Sequence, residues 1–412
     1  MRKIYSALDI GSSFIKLVVG EFLNGKLNIL CAVKGESKGF KKNQITDSEK
    51  LIKSINNVLN EASTKLNFKI KKLIVNIPTD YNDFKISENQ IDIPGDDEIV
   101  TSTDILKLLQ KSSNNELKET EELLASIPIS FRVGDDETDS PLGKRGKTLS
   151  LKSVLVVTDK KRVYDLVRVL EKCDVEIVDI TTTGLVDYYN FKNRDLDEKN
   201  TIIVNMGGST TSISVFSKGI YINNLNLDIG GETLDKELAL FYNITKKDAT
   251  YLKEALASGD VNNSSKDNIS LVNKDGKELK ITSEEVSKIV NKKLIEMLKS
   301  IKNNINYLTK KEISYIIITG GLAEFKDLAL PVNRIFSNAK IGFINDIGAR
   351  DASFSVSLGM LKYFNEKLNL RGKEYSMLTD EELEYMVNSN NSKLITNGDN
   401  ILSKVFNYFF DN

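Results

Sequence analysis

The sequence predicts an α/β protein of two similar lobes, and two observations carry that prediction. The first is an internal echo. Asp9-Ile10-Gly11-Ser12-Ser13 separates two apolar runs, Ile4–Leu8 and Phe14–Gly20, and near Thr201 the same strand–turn–strand pattern returns. There Ile202–Val204 and Ile213–Phe216 flank Asn205-Met206-Gly207-Gly208-Ser209-Thr210. Superposing the units sets Asp9 on Asn205, Gly11 on Gly207, Ser13 on Ser209 and Leu17 on Ile213. The second is size. The chain has 412 residues, 40% of them hydrophobic, which exceeds the roughly 250–300 residues at which single cores stop growing.

The elements follow in order. After the opening hairpin, 47–66 places Leu51, Ile52, Ile55, Val58, Leu59 and Ala62 at helical spacing, with Asp47 or Ser48 as cap. Leu73–Ile77 reads as a buried strand before Pro78. A mixed stretch, roughly 84–160, holds an amphipathic helix (Ser102–Leu109), a Gly/Asp-rich loop (Gly134–Lys147) and a strand (Ser153–Val157). Val163–Cys173 is helical. A third glycine turn, Asp228-Ile229-Gly230-Gly231-Glu232, opens a helix near Thr233, and a long helix spans 283–308. Ile316-Ile317-Ile318-Thr319-Gly320-Gly321 is a buried strand ending in paired glycines, with a helix expected near Phe325. Phe354–Tyr363 reads as the last packed helix. Beyond 365 the chain turns polar, and 387–400 is rich in Asn and Ser, the composition of a flexible linker.

Composition excludes several functions. Lys plus Arg number 57 against 58 Asp plus Glu, for a formal charge of −1, so nothing points to a nucleic-acid partner. The absence of histidine removes imidazole catalysis, Ser-His-Asp triads and His-ligated zinc. Cys31 and Cys173 are far apart in the chain, without metal-ligand spacing, as expected of a reducing cytosol. The opening residues turn polar too early for a secretory signal. No apolar run reaches the ~18–20 residues of a membrane span, so the body of the protein is expected to be soluble.

The chemistry lies in the turns. A Gly/Ser turn between strands exposes successive backbone N–H groups that bind phosphate oxygens, and glycine permits close approach. Two facing turns would clamp a polyphosphate, with Ser12, Ser13, Ser209 and Thr210 adding hydroxyls. Lys16 is placed to reach a phosphate as a point charge, and Asp9 to hold the waters of a phosphate-bound Mg²⁺. Neither turn is a P-loop. Any one turn alone reads better as the tip of a structural hairpin, Lys16 alone better as an exposed strand lysine, and strand-Thr-Gly-Gly alone equally as a tight connection. The functional reading rests on the ordered set.

That set resembles the actin/Hsp70/sugar-kinase superfamily. LDIGSSFIK (8–16) resembles its first phosphate motif, IVNMGGSTTSISVF (203–216) its second and IIITGGLAEFKDL (316–328) its adenosine motif. Over nearly the whole chain the resemblance is to the FtsA family of bacterial cell-division proteins. KGFKKNQITDSEKLIKSINNVLNEA (38–62), IPGDDEIVTSTDILKLLQ (93–110), SIPISFRVGDDETDSPLG (126–143) and FSVSLGML (354–361) carry it.

The resemblance implies an actin-like two-lobed fold of duplicated ribonuclease-H-like units. It divides the chain into a first lobe core (1–83 and 162–199), an FtsA-type inserted subdomain (84–161), a second lobe core (200–233 and 309–364), an outer subdomain (234–308), a linker (365–400) and a terminal amphipathic helix (401–412). It implies ATP and Mg²⁺ as cofactors. Gly230, Gly231, Gly320, Gly321, Leu322 and Phe325 would line the nucleotide, and Lys253 would contact ribose or base. It further implies filament formation, the FtsZ C-terminal tail as a partner of the second lobe, other divisome proteins on the inserted subdomain, and a place at the septum on the cytoplasmic face of the membrane.

One position departs from the family pattern, where Asp is usual at Asn205. An amide has the shape but no charge and cannot act as a base, and 180–185 offers no acid or Gln to orient an attacking water. Nucleotide binding with weak or absent hydrolysis is therefore expected, and Asn205→Asp is expected to raise turnover.

Drawn as a helix, 401–412 sets Ser403, Lys404, Asn407 and Asp411 on one side and Ile401, Leu402, Val405, Phe406, Phe409 and Phe410 on the other. That is an interfacial membrane helix or a helix docked on its own domain, and the linker and the resemblance favour the membrane. Two other functions stay open: a small-molecule kinase of the same superfold, which needs a substrate-side carboxylate and no membrane peptide, and an actin-like pilus-assembly protein, which shares the hairpins and an inserted domain.

Overall fold

The computed structural model describes residues 2–78, 82–114, 116–262, 267–379 and 381–382. In the first lobe, β1 (Lys3–Ile10), β2 (Phe14–Leu23) and β3 (Lys26–Glu36) form an antiparallel meander. A small hairpin, β4 (Phe40–Lys41) and β5 (Gln44–Ile45), leads into α1 (Ser48–Leu66). Asp47 caps that helix by accepting the Lys50 N–H at 3.0 Å. Its apolar face, Leu51, Ile55, Val58, Leu59 and Ala62, is buried as the spacing predicts. β6 (Lys72–Ile77) then pairs parallel to β1.

The chain next leaves the lobe. β7 (Asp83–Asp92), α2 (Ser102–Asn114), β8 (Glu121–Val133), β9 (Asp136–Thr138) and β10 (Thr148–Asp159) make a separate sheet of order β7-β10-β8-β9. It has its own apolar cluster around Ile105, Leu108, Phe131 and Leu151. The Gly/Asp-rich stretch expected to be loop contributes β9, because Phe131–Val133 pair back onto it. The chain returns through α3 (Lys160–Glu171), β11 (Glu176–Thr182), α4 (Thr183–Phe191) and α5 (Arg194–Asp197).

The second lobe repeats the first. β12 (Asn200–Met206), β13 (Thr211–Ser217) and β14 (Ile220–Leu227) form the meander, followed by α6 (Gly231–Tyr242), α7 (Lys246–Leu256), the hairpin β15 (Asn268–Val272) and β16 (Glu278–Thr282), and α8 (Ser283–Leu308). Thr282 and Glu285 cap α8 reciprocally. β17 (Tyr315–Thr319), α9 (Ala329–Ile335), β18 (Ala339–Ile341) and α10 (Ser355–Leu370) complete the described chain. The sheet orders, β3-β2-β1-β6-β11 and β14-β13-β12-β17-β18, are the same topology twice. The internal echo in the sequence is thus a duplicated unit.

Between the two sheets lie α4 and α10, burying Leu185, Val186, Leu358 and Leu361. They cross so closely at Gly359 that a Cβ there would lie 1.8 Å from the Val186 carbonyl oxygen. This tight crossing positions the ends of β1 and β12 opposite each other.

Two expectations change. The helix expected near Phe325 is a short 3₁₀ turn, Gly321–Glu324, with α9 starting at Ala329. The polar segment expected from 365 is structured further than its composition indicates: α10 runs to Leu370, and Met377 and Leu378 are buried. The Met377 N–H donates to the Ile4 carbonyl at 2.9 Å, so two apolar residues in a polar stretch cover the rim of the first sheet. The terminal segment, with Ile401, Leu402, Val405, Phe406, Phe409 and Phe410, lies outside the described residues. Among the described residues, no helix is long and apolar enough to cross a membrane.

Candidate functional site

The two Gly/Ser turns are built alike. Gly11 N–H donates to the Phe14 carbonyl at 3.1 Å, and Gly207 N–H to the Thr210 carbonyl at 2.9 Å. Each closes a hairpin at the end of a central strand, and the two meet face to face. A Cβ on Gly208 would lie 1.9 Å from Ser13 Oγ. Asp9, Gly11, Ser12, Ser13, Lys16, Asn205, Gly207, Gly208, Thr210, Gly320 and Gly321 all line one recess of about 110 Å³. The recess adjoins an interlobe cleft of about 1250 Å³, which Gly231, Lys253, Leu322 and Phe325 line together with Ser12, Ser13, Gly208 and Gly321.

Two expected residues sit differently. Ser209 turns its hydroxyl away from the recess and accepts the Lys42 N–H at 3.3 Å. Gly230 is the residue before α6, whose first N–H groups are already used: Gly231 donates to the Gly207 carbonyl at 3.0 Å and Glu232 to the Gly208 carbonyl at 2.8 Å. The third glycine turn therefore buttresses the second one from behind.

Charge is concentrated at the closed end. Lys16 Nζ lies 2.5 Å from Asp9 Oδ2, with both side chains mostly buried. The Asn76 amide donates to Asp9 Oδ1 at 3.1 Å and to Thr183 Oγ1 at 2.7 Å. Among the described residues Asn76 Oδ1 is buried without a partner, and Asn76 lines the recess. At the other end of the cleft Lys253 pairs with Asp235 at 2.7 Å and approaches the Gly231 carbonyl at 3.4 Å. The β4–β5 hairpin reaches across from the first lobe: besides the Ser209 contact, Lys42 Nζ lies 2.7 Å from Asp228 Oδ2.

Sequence reasoning missed Asp187. The segment 180–185 has no acid, as read, but α4 continues and its Asp187 is fully buried beneath β12. Asn205 Nδ2 donates to Asp187 Oδ2 at 2.7 Å, and Thr319 Oγ1 to the same oxygen at 2.6 Å. Burial pushes the Asp187 carboxyl above the ordinary range, and the hydrogen bonds from Thr319 and Asn205 pull the other way. The signal was there: a lone acid between Val186 and Tyr188 in an apolar helix is out of place unless it has a partner. Asn76, Thr183 and Lys42 carried no comparable signal, since short polar residues at strand ends are ordinary.

Comparison with known proteins bears on these features. Residues 202–359 match the family model described as "Cell division protein FtsA", and residues 83–158 match the one described as "SHS2 domain inserted in FTSA". The cell division protein FtsA of Bacillus subtilis (strain 168) is 23% identical over 386 residues, covering 92% of this chain and 88% of the relative. Among solved structures, the PilM–PilN type IV pilus biogenesis complex aligns with a TM-score of 0.58 at 12% identity, over 86% of this chain and 97% of the other. MreB5 of Spiroplasma citri bound to ADP aligns with a TM-score of 0.54 at 15% identity, over 90% and 99%. At such identities the structural likenesses show the fold alone, an actin-like α/β architecture. The two family models between them cover more than half of the sequence, and the chain belongs to the FtsA family of cell-division proteins.

Proposed function

We propose that this protein is an ATP-binding, filament-forming membrane tether. On this reading it anchors FtsZ on the cytoplasmic face of the division septum and recruits other divisome proteins through its inserted subdomain. The observation that carries the nucleotide part is the pair of hairpin turns meeting across the cleft at Ser13 and Gly208. The residues fit a polyphosphate. Cβ atoms would fill the cradle at Gly208 and crowd it at Gly11, where one would lie 2.9 Å from the Phe14 carbonyl oxygen. Asn76 Oδ1, buried without a partner among the described residues, lacks a bond that a ligand or its waters would supply.

Lys16 and the turn N–H groups would hold phosphate oxygens, and Asp9 would hold waters of the Mg²⁺. Lys253, Leu322 and Phe325 would face the nucleoside. Bound Mg²⁺–ATP supplies the phosphoanhydride, and an amide at position 205 keeps its turnover low. The structurally similar MreB5, solved bound to ADP, is in keeping with a nucleotide ligand.

Leu240, Phe241 and Tyr251 on α6 and α7 are large exposed apolar side chains of the second lobe that a peptide such as the FtsZ tail would cover. A single terminal peptide binds a bilayer weakly, since ordering it offsets much of the ~1.5–3 kcal/mol per buried large side chain. A filament presenting many copies binds firmly. Sedimentation with anionic liposomes tests the reading, with and without ATP and Mg²⁺, on the full chain and on one ending at Asn400. Pelleting of the full chain alone, increased by ATP, is expected. Equal behaviour of the two chains overturns the tether.

A further inference from the structure

Asn205 and Thr319 are direct partners on the parallel strands β12 and β17. These strands end in the Gly207-Gly208 turn and the Gly320-Gly321 turn. Asp187 closes the gap beneath both, and a single oxygen, Oδ2, accepts from the Asn205 amide and from the Thr319 hydroxyl. Asn205 therefore has its nitrogen committed inward. Its carbonyl oxygen lies on the opposite side, towards Gly320: a Cβ built there would come within 2.5 Å of Asn205 Oδ1. With Asp187 ionised, rotating the amide by half a turn would set oxygen against oxygen at hydrogen-bond distance, an arrangement that electrostatics disfavours.

We propose that Asp187 is a positioning residue that locks the Asn205 amide with its carbonyl oxygen turned towards Gly320 in the recess. The acid that the family pattern puts at 205 is carried one layer deeper, and a neutral acceptor takes its place at the surface of the site. The inference deepens the nucleotide reading and rests on it. It also changes what a single substitution does. Asn205→Asp does not simply supply the missing carboxylate, because it sets a second carboxylate against Asp187, and two acids in contact cannot both ionise. The exchange Asp187→Asn with Asn205→Asp keeps one acid and one amide and reverses their order.

The test uses four full-length proteins: the parent, Asp187→Asn, Asn205→Asp and the exchange. Affinity for a fluorescent ATP analogue is measured with Mg²⁺ and with EDTA. Phosphate release is measured at saturating ATP, and melting temperature without nucleotide. Both single variants are expected to bind at least tenfold more weakly in Mg²⁺, and Asn205→Asp to melt lower. The exchange is expected to restore affinity to within about threefold and the melting temperature to that of the parent. Its turnover is expected to rise at least tenfold, since a carboxylate now faces the nucleotide. If Asp187→Asn binds and turns over like the parent, or if the exchange rescues nothing that Asn205→Asp loses, Asp187 does not position Asn205. A parent that binds no nucleotide instead defeats the nucleotide reading and the proposal with it, an outcome distinct from a parent that binds and variants that do not differ.

Discussion

Gly208 faces Ser13 with no room for a side chain between them: a Cβ on Gly208 would lie 1.9 Å from Ser13 Oγ and 3.0 Å from Ser13 Cβ. The two residues belong to different lobes, so this contact sets how closely the lobes approach. Gly208→Ala is a wedge. Overpacking of this kind costs about 1–3 kcal/mol, and here the lobes relieve it by separating. Nucleotide affinity is expected to fall at least tenfold with only a small loss of melting temperature. Adding Ser13→Gly is expected to recover part of it. Fluorescence titration of a nucleotide analogue measures both, and unchanged affinity in Gly208→Ala defeats the clamp.

The Lys42 contact makes a second prediction. The β4–β5 turn places Lys42 and Asn43 at φ 45° and 61°, the left-handed geometry that a tight hairpin demands. Its tip spans the cleft through the Lys42 N–H to Ser209 and the ammonium to Asp228. The ion pair is exposed and is worth roughly 0.2–1 kcal/mol. Asp228→Lys reverses it and repels the tip. Global stability is expected to change by less than about 1 kcal/mol, while amide exchange at Lys42 accelerates severalfold. Exchange as slow as in the parent would show that the strap does not depend on Asp228.

Much of this was legible in the sequence for a physical reason. Turns that need glycine and strands that need apolar runs leave local marks, so the duplicated hairpins, α1 with its Asp47 cap and the 26-residue α8 could all be read directly. The recess and its surroundings are also assembled from side chains whose partners lie far along the chain. Asn76 reaches Asp9 from β6, Asp187 reaches Asn205 from α4, and Lys42 reaches Asp228 across the cleft. No periodicity encodes those pairings. The same holds for Met377, which looks like part of a polar linker until the rim of the first sheet is seen to lack a cover.

The inserted subdomain is expected to weaken in acid through Glu121. Its carboxylate accepts the Lys118 N–H at 2.8 Å and the Lys85 ammonium at 2.5 Å. These hold it below the ordinary carboxylate range, the Lys118 backbone bond contributing most. The folded state thus releases this proton more readily than the unfolded one. The stabilisation is complete above the unfolded value, about 4.3, and is lost as pH falls towards the lower folded value. Glu121→Gln removes the titration but keeps an acceptor. Amide exchange along β8 from pH 7 to 3 is expected to steepen in the parent and flatten in the variant. Parallel profiles would mean that other carboxylates govern the acid response.

The last prediction concerns why an ion pair sits inside the recess at all. The Asp9 and Lys16 side chains are 7% and 13% exposed, so desolvating them offsets much of their attraction, and apolar residues of similar volume are often as stable. Removing one partner is different, because it strands a charge. Lys16→Met leaves Asp9 with the Asn76 amide alone and is expected to cost about 3 kcal/mol. Asp9→Asn together with Lys16→Met is expected to recover most of that loss in urea denaturation while binding no nucleotide. Such a result would mean that the pair is held for its ligand, since the fold does not need it: the phosphates take the ammonium and the metal's waters take the carboxylate. A double variant that stays as unstable as Lys16→Met would show that the pair holds the first lobe together, and the nucleotide reading would then lose the support of these two charges.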